Sequence, residues 1–429
     1  MREIRVGLLG LGVVGSEVAH VLLQRSERLA EQVGATVTLH RVLVRDVAKE
    51  RPHSIPAELL TTSPEDIVDN PDIDIVVELI GGEHPSFDLI DKALSNGKHV
   101  VTANKEVMAK SGYGLLSSAA QHGVDLRYEA SVGSGIPILS PLRQDLAANN
   151  IASIRAIVNG TTNYILTKMA REDMDYQTAL RQAQDLGYAE SDPTNDVEGM
   201  DAAYKLAILS SLAFHTPVKP SDIYTQGIST LHPKDFTYAR ELGYAVKLLA
   251  IAKHHGDSIE ARVHPALIPF DSQLANVDGV YNAVQIEGDL VGPLVFLGKG
   301  AGAMPTASTV VADVLTIARS IAAASIITPR IEMNRRISVK PMSRIETSYY
   351  LRIAVKDQPG VLAEIARVLG EHSISISSVI QKELNTAEQT AVIVIMTHPA
   401  VEASVQAAVA EFARLPKVDE VSALIRVED

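Results

Sequence analysis

The segment GLGVVG at residues 10–15 constrains the fold of this chain more than any other stretch. It follows the apolar run IRVGLLG at 4–10 and opens VGSEVAHVLLQ at 14–24, whose apolar residues have helical spacing. Between a strand and a helix, G-x-G-x-x-G spacing permits a tight turn, close approach of a pyrophosphate and close helix–strand packing. The free N–H groups and the positive dipole end of the helix favour phosphate. A purely structural turn is the alternative, but the context predicts a dinucleotide site contacted by Gly10, Leu11, Gly12, Val13, Val14 and Gly15.

Strand and helix signals alternate through the first 130 residues. TVTLHRVLV at 36–44 and VDLRYEAS at 124–131 are typical of strands, and SFDLIDKALSNGKHVVTAN at 86–104 is typical of a helix, a glycine stop and a strand. DIVVELIG at 74–81 is nearly all apolar, which suits a strand that is buried on both faces. This alternation predicts a parallel, doubly wound, Rossmann-like sheet in residues 1–130.

The rest of the chain divides into a middle region and a compact C-terminal unit. Residues 131–335 mix amphipathic helices with β-rich pieces and are predicted to form an α+β substrate-binding and dimerisation domain. A helix near 305–335 is expected to return to the first domain, and the polar stretch 336–347 is expected to be a linker. Residues 348–429 have the order strand, helix, strand, strand, helix, strand, which is the ferredoxin-like unit. The predicted fold class is therefore α/β with three domains.

Composition excludes several classes of protein. A chain of 429 residues is long for one core, and it contains no Cys, which excludes disulfides, thiolate metal sites and a cysteine nucleophile. The net charge of −13 argues against a nucleic-acid or anionic-membrane partner. No stretch resembles a signal peptide or approaches the roughly 18 apolar residues of a membrane span. We expect a soluble cytoplasmic protein that binds a small-molecule substrate.

The choice between NADP and NAD depends on the residues after the second strand. An acidic residue there binds the ribose 2′-OH of NAD, whereas an arginine favours the 2′-phosphate of NADP. This chain has both, Arg45 and Asp46, directly after VLV. We expect NADP, with use of both cofactors possible, although Arg45 could equally be a solvated loop residue.

Two lysines are candidates for the proton donor that a nicotinamide enzyme acting on a carbonyl requires. Lys205 begins an otherwise apolar helical stretch, and Asp201 lies one turn before it. The alternative explanation for the spacing of Asp201 and Lys205 is an ion pair between residues i and i+4 on the exposed surface of a helix. Lys105 follows the fourth predicted strand, at the edge of the sheet where ligands bind in open α/β folds. The alternative is that Lys105 is an exposed loop residue without a role in the site.

Three further segments have more than one explanation. The acidic stretch 185–198 could bind a metal, solvate a turn or hold a substrate ammonium. In NGTTNYIL at 159–166, Thr161 or Thr162 could cap a helix, and the exposed N–H groups could also bind a carboxylate. EASVGSGIPIL at 129–139 could bind a hard cation through oxygens or simply connect two domains.

The long motifs of this chain resemble those of homoserine dehydrogenases of the bacterial type with a C-terminal ACT domain, over nearly the whole length. The motifs are GLGVVG at 10–15, TANKE at 102–106, EASVGSGIP at 129–137, NGTTNYIL at 159–166, GYAESDPTNDVEGMDAAYK at 187–205 and GAGAMPTASTVVAD at 300–313. The resemblance implies reversible, NAD(P)H-dependent reduction of L-aspartate 4-semialdehyde to L-homoserine, in threonine, isoleucine and methionine biosynthesis.

The resemblance also implies roles for individual residues. Lys205 would be the proton donor with Asp201 as its partner, and Lys105 would lie between cofactor and substrate. Glu190 would hold the substrate ammonium. Further substrate contacts would be Gly160, Thr161, Tyr188 and Asp196, and Gly302 would approach the cofactor. A monovalent cation, sodium, would be held mostly by backbone carbonyls of Glu129, Val132, Ser134 and Ile136.

The C-terminal unit resembles an ACT domain, whose turn signature is present in KDQPGVLAEIARVL at 356–369. Such domains pair and bind amino acids at their interface, so the resemblance implies L-threonine feedback through Asp357, Gly360, Val361 and Leu362, in a homodimer or homotetramer. A purely structural dimerisation module is the alternative. No aspartate kinase region precedes residue 1, which suggests a monofunctional enzyme.

Three rival functions conflict with features of the sequence. Aspartate-semialdehyde dehydrogenase requires a cysteine nucleophile, which this chain lacks. A phosphoglycerate dehydrogenase would have its glycine loop in the middle of the chain and a catalytic histidine. A non-catalytic amino-acid sensor that binds NAD(P)H structurally has no need of the Asp201 and Lys205 pair.

Overall fold

A computed structural model describes residues 2–324, 333, 337–385 and 389–428. The chain forms two compact units. The first comprises Met1–Ile154, Tyr204–Pro220 and Tyr281–Arg336, and the second comprises Arg155–Ala203, Ser221–Val280 and Ile337–Asp429. Within the described ranges, none of the helices combines the length and the apolar character needed to cross a membrane.

The helices and strands have the following bounds. The strands are β1 Glu3–Leu9, β2 Thr36–Leu43, β3 Leu60–Thr61, β4 Ile75–Glu78, β5 His99–Thr102, β6 Leu126–Arg127, β7 Ile151–Ile157, β8 Tyr224–Thr225, β9 Tyr244–His255, β10 Ser258–Pro269, β11 Tyr281–Gly288, β12 Gly292–Lys299, β13 Ser338–Val339, β14 Glu346–Lys356, β15 Ile376–Asn385, β16 Thr390–Thr397, β17 Ala400–Val401 and β18 Val418–Val427. The helices are α1 Val13–Gln24, α2 Ser26–Val33, α3 Glu65–Val68, α4 Ser86–Ser95, α5 Lys105–His122, α6 Leu139–Arg143, α7 Gly160–Glu172, α8 Tyr176–Asp185, α9 Thr194–Val197, α10 Met200–Phe214, α11 Pro233–Glu241, α12 Ala303–Ala322, α13 Val361–Glu371 and α14 Glu402–Phe412.

The first unit contains a six-stranded parallel sheet in the order β3-β2-β1-β4-β5-β6. The order reverses between β1 and β4, so their carboxyl ends form the crevice in which doubly wound folds bind ligands. All four residues of β4 are buried, as the apolar run predicts. Helix α12 packs with α1 against β1 in one core, to which it contributes Val310, Val314 and Ile317. Helix α12 is thus part of the first unit.

Two predicted segments differ from the structure or lie partly outside it. Only Leu126–Arg127 of the predicted strand 124–131 is a strand, because the chain enters a 3-10 turn at Glu129–Ser131. In the predicted linker, β13 pairs with β10, while residue 336 lies outside the described residues. Residues 325–332 and 334–335 of the expected return helix also lie outside them.

The second unit is built on a mixed sheet that contains the path β9-β10-β18-β14-β16-β15. Its C-terminal part, β14-α13-β15-β16-α14-β18, has the predicted ferredoxin-like order, with its own apolar core beneath α13 and α14. Strand β18 also pairs in parallel with β10, through Ala266 with Arg426 and Leu267 with Val427. The C-terminal strands therefore extend the preceding sheet. The predicted α/β fold class is confirmed.

Candidate active site

The three glycines of the loop between β1 and α1 have different surroundings. Gly10 has a φ of +102°, and a Cβ there would lie 2.9 Å from the Leu79 carbonyl oxygen. A Cβ on Gly15 would collide with the Gly10 carbonyl oxygen, so this glycine allows α1 to pack against the end of β1. Gly12 precedes α1 and faces open space, with no side-chain cap on the helix. The loop is therefore open where a pyrophosphate would meet the helix N-terminus.

Arg45 and Asp46 follow β2, and both are exposed. The carboxylate of Asp46 accepts the backbone N–H of Ala48 at 2.8 Å, so it is turned back on its own loop. The side chain of Arg45 thus has the more open position of the two for a ligand phosphate.

A buried hydrogen-bond network fixes the backbone that precedes Lys105. Thr102 Oγ1 donates to Glu78 Oε2 at 2.6 Å, and Glu78 Oε1 accepts the N–H groups of Ile80 at 2.8 Å and Gly81 at 3.2 Å. Asn104 caps α5 by accepting the Val107 N–H at 3.1 Å. Lys105, the first residue of α5, is half-buried at the carboxyl edge of the sheet. The role of Glu78 has no local signature in the sequence, because Thr102 comes from a different strand.

Lys205 and Asp201 lie one turn apart on α10, so they share a helix face. Lys205 is 8% exposed and Asp201 3% exposed. Charged side chains that are so deeply buried need partners or a function. Burial therefore argues against the exposed surface ion pair that the spacing alone allowed.

Asn159 organises the segment that the sequence analysis assigned to substrate. Its side-chain oxygen caps α7 by accepting the Thr162 N–H at 2.8 Å, so the prediction that Thr161 or Thr162 caps this helix was wrong. Its amide nitrogen donates to Asp196 Oδ1 at 2.7 Å and to Asp201 Oδ2 at 2.9 Å. One amide therefore holds two carboxylates in place. The sequence analysis missed Asn159, because its two carboxylate partners come from segments about 40 residues away and have no local signal.

The remaining candidate substrate residues lie along the same segments of the second unit. Thr161 Oγ1 donates to the Tyr188 carbonyl oxygen at 2.7 Å, which ties the start of α7 to the segment after α8. Gly160 is the first residue of α7, and a Cβ there would lie 3.1 Å from the Val280 carbonyl oxygen. Glu190 is exposed, and its carbonyl oxygen accepts Gln184 Nε2 at 3.1 Å. The structure thus joins Tyr188 and Asp196 to the start of α7 and leaves the Glu190 carboxylate on the surface of this unit.

The carboxylate of Glu129 caps a helix. It accepts the N–H groups of Ile138, Leu139 and Ser140 at 2.5 to 2.6 Å, at the start of α6. Its backbone N–H donates to Asp313 at 3.0 Å. Burial and the nearby Glu129 raise the pKa of Asp313 to about 7.

The backbone between Glu129 and α6 is irregular and buried. Val132, Ser134 and Ile136 are each at least nine-tenths buried, and Ser134 has a φ of +52° with its hydroxyl 2.7 Å from Thr306 Oγ1. Buried carbonyl oxygens in such a turn are suitable ligands for a hard cation. Among the described residues, no cluster of three His, Asp or Glu could hold a metal ion.

Gly302 precedes α12 with a φ of +122°, and its carbonyl oxygen accepts Thr306 Oγ1 at 2.8 Å. This conformation favours glycine. The positive φ places an exposed glycine backbone directly before the N-terminus of α12.

The turn between β14 and α13 contains the candidate effector residues. Gly360 precedes α13 with a φ of +92°, Val361 is buried, and Leu362 is 46% exposed. The Asp357 N–H donates to the Gln389 carbonyl oxygen at 2.7 Å. Helix α13 has no side-chain cap, and the exposed apolar side chain of Leu362 lies in its first turn, so this turn is a suitable surface for an amino acid.

Comparisons with known families and proteins agree over the whole chain. The family described as "Homoserine dehydrogenase, NAD binding domain" matches residues 10–129, "Homoserine dehydrogenase" matches 137–315, and "ACT domain" matches 349–417. Homoserine dehydrogenase of Neisseria gonorrhoeae is 43% identical over 434 residues, which cover 100% of this chain and 99% of that protein. The Bacillus subtilis protein of the same name is 42% identical, with coverage of 100% and 99%.

Solved structures agree with these matches. The crystal structure of a homoserine dehydrogenase from Thiobacillus denitrificans is 44% identical, with a TM-score of 0.93 and coverage of 100% of this chain and 99% of that one. The S. aureus enzyme at pH 6.0 is 32% identical, with a TM-score of 0.79 and the same coverage. Full-length identity of this order, with both catalytic domains and the ACT domain matched, shows that this chain belongs to the homoserine dehydrogenases, a family of NAD(P)-dependent oxidoreductases.

Proposed function

We propose that Lys205 supplies the proton in the interconversion of L-aspartate 4-semialdehyde and L-homoserine. A bound nicotinamide cofactor would supply the hydride to the aldehyde carbon, and negative charge would then develop on the substrate's carbonyl oxygen. The Lys205 ammonium donates its proton to that oxygen, and in the reverse direction the neutral amine removes the proton from the hydroxyl. The deep burial of both Lys205 and Asp201, one turn apart on α10, carries this proposal, because charged side chains buried to this degree need a partner or a function.

Acidic groups of the second unit bind the substrate ammonium in this proposal. Glu190 is the main counter-ion, and Asp196, with Gly160, Thr161 and Tyr188, completes the amino-acid site. The hydrogen bonds from Asn159 to Asp196 and from Thr161 to the Tyr188 carbonyl support it, because they fix the elements that carry these groups.

The cofactor in this proposal is NADP, with NAD as the second choice. The glycine loop holds the pyrophosphate, Arg45 binds the 2′-phosphate, and Lys105 and Gly302 line the nicotinamide end. The hydrogen bond between Asp46 and Ala48 supports the preference, because it engages the carboxylate that would otherwise bind the ribose of NAD.

Two regulatory elements and the assembly complete the proposal. Backbone carbonyls of Glu129, Val132, Ser134 and Ile136 would hold a sodium ion, which fits their buried, irregular segment and would rigidify it. The turn formed by Asp357, Gly360, Val361 and Leu362 binds L-threonine and lowers activity. The enzyme acts as a homodimer or homotetramer, because ACT domains pair.

The test is the absorbance of the reduced cofactor with purified protein and L-homoserine, with NADP and NAD in parallel and with and without L-threonine. Lys205→Ala should lower kcat by about 100-fold or more, the usual contribution of a general acid or base, and change KM much less. Lys92→Ala removes an exposed ion pair with Asp69 and should leave both constants unchanged. Near wild-type turnover of Lys205→Ala would refute the proton-donor role. Absence of turnover in the wild-type protein, with sodium or potassium present, would favour the amino-acid sensor.

A further inference from the structure

Two buried charged residues lie at the C-terminal end of β18. Arg426 is 2% exposed and Glu428, directly after β18, is 4% exposed. Arg426 Nε donates to Glu402 Oε2 at 2.8 Å, and its Nη1 donates to Gln226 Oε1 at 2.8 Å. The first bond lies within the ACT domain, whereas the second reaches the segment that follows β8. Burying such a charge is costly unless its partners are well placed, so this arrangement is fixed.

One branch leads from Arg426 to the turn between α9 and α10. Gln226 precedes Gly227, where a Cβ would lie 2.5 Å from the Val197 carbonyl oxygen and 2.7 Å from the Glu198 Cα. The next residue, Ile228, donates its N–H to that same Val197 carbonyl at 2.9 Å. Segment 226–228 is therefore packed backbone to backbone against the residue that follows Asp196. A shift of Gln226 would move this turn.

The other branch leads from Glu428 to β7. Arg155 Nε donates to Glu428 Oε1 at 2.8 Å. Strand β7 ends two residues later, and Asn159 follows it, with its amide on Asp196 and Asp201. Although burial opposes ionisation, Lys253, Arg262 and Arg155 hold the pKa of Glu428 below its usual value, so the carboxylate remains charged.

We infer that Arg426 and Glu428, at the C-terminal end of β18, are positioning residues for the reaction, acting through Gln226 and Arg155 on the carboxylates Asp196 and Asp201. Both branches start at the C-terminal end of β18. The Gln226 branch ends at Val197, next to Asp196, and the Arg155 branch ends at Asn159, whose amide contacts Asp196 and Asp201. This inference rests on the proposed substrate role of Asp196. It assigns to the ACT strand a part in substrate binding in the absence of any effector, in addition to any regulation.

Gln226 offers the sharpest test, because it is neutral and half-buried and its replacement should leave the protein folded. Gln226→Met removes the acceptor for Arg426, and Gln226→Glu retains one. We expect Gln226→Met to raise KM for L-homoserine about tenfold, the factor that corresponds to roughly 1.4 kcal/mol. KM for NADP should stay at the wild-type value in both variants, and Gln226→Glu should bring KM for L-homoserine close to wild type.

Tyr350→Phe is the matched control. Tyr350 Oη donates to Asp235 Oδ1 at 3.2 Å, so this change also removes one buried hydrogen bond between a C-terminal strand and the preceding part of the unit. This hydrogen bond connects the strand to α11, not to the turn between α9 and α10. We expect a lower melting temperature with an unchanged KM for L-homoserine. Equal rises in KM for Tyr350→Phe and Gln226→Met would mean general loosening and would overturn the inference.

Asp196→Asn separates this inference from the proposed function on which it rests. A raised KM for L-homoserine in both Asp196→Asn and Gln226→Met supports both. A rise in Asp196→Asn alone refutes the positioning role and leaves the substrate site intact. A rise in Gln226→Met alone also refutes the inference as stated, because Asp196 would not be the target. No rise in either variant would refute both.

Discussion

Replacement of Asn159 tests whether one amide holds the two carboxylates together. The side chain provides a helix cap, worth about 1 kcal/mol, and two hydrogen bonds to charged groups, worth about 1.5 kcal/mol or more each. Asn159→Ala should therefore lower the free energy of unfolding by about 4 kcal/mol. Asn159→Asp keeps a good cap but loses both donors and adds a third carboxylate, so its loss should be about 3 kcal/mol or more at pH 8.

The pH dependence gives Asn159→Asp a distinct signature. Like charges around the new carboxyl should raise its folded-state pKa above the unfolded value of about 3.9. A raised folded pKa contributes stability that is present at low pH and is lost as the pH rises through that pKa. The deficit of this variant relative to wild type should therefore be largest at pH 8 and shrink towards pH 5.

The assay is urea unfolding of wild type and variants at both pH values, together with kcat and KM for L-homoserine. Asn150→Asp is the control, since Asn150 donates to Asp289 at 2.7 Å on an exposed surface and should lose less than about 1 kcal/mol. An Asn159→Asp protein as stable as wild type at pH 8 would show that the amide contributes nothing. The whole account of this cluster would then be wrong.

Two other predictions concern the loop and a buried histidine. Gly15→Ala should prevent folding of the first unit, because its Cβ would meet the Gly10 carbonyl oxygen. Gly12→Ala should keep the wild-type melting temperature and weaken NADP binding, as measured by fluorescence titration. Equal melting temperatures of the two variants would contradict the packing argument. The pKa of His264 is lowered by burial and by the nearby Arg426 and Arg262. The wild-type protein should therefore lose stability as the pH falls below about 6.5, the unfolded-state pKa, and His264→Gln should lose less over the same range in thermal unfolding. An identical pH dependence of the two proteins would contradict this.

Local patterns explain which parts of the fold were predictable. The alternation of strands and helices, the glycine loop and the ferredoxin-like order each depend on periodicities of a few residues, and all three occur in the structure. The strand predicted at 124–131 was too long, because the Glu129 carboxylate caps α6 about ten residues later and the chain must turn to allow it. A contact at that separation has no periodic signal.

The candidate site was predictable in its residue types but not in its organisation. Helical spacing singled out Lys205 and Asp201, the acidic stretch contained Asp196 and Glu190, and the resemblance added a role for each. Asn159 and Glu78 are buried polar residues whose partners come from other segments, and neither stands out in the sequence. Thr162 was a plausible cap by type, yet its own hydroxyl bonds to Asn159, whose extended backbone precedes the helix. Cap identity depends on that backbone conformation, which composition does not encode.

The pairing of β18 with β10 has a consequence for biosynthesis of the chain. Strand β10 emerges from the ribosome long before β18, yet its edge at Ala266 and Leu267 pairs with Arg426 and Val427 of β18. Non-local pairing of this kind is slow to form and leaves an open strand edge in the meantime. Until the last strand is synthesised, the nascent middle region therefore exposes a template for pairing with other chains.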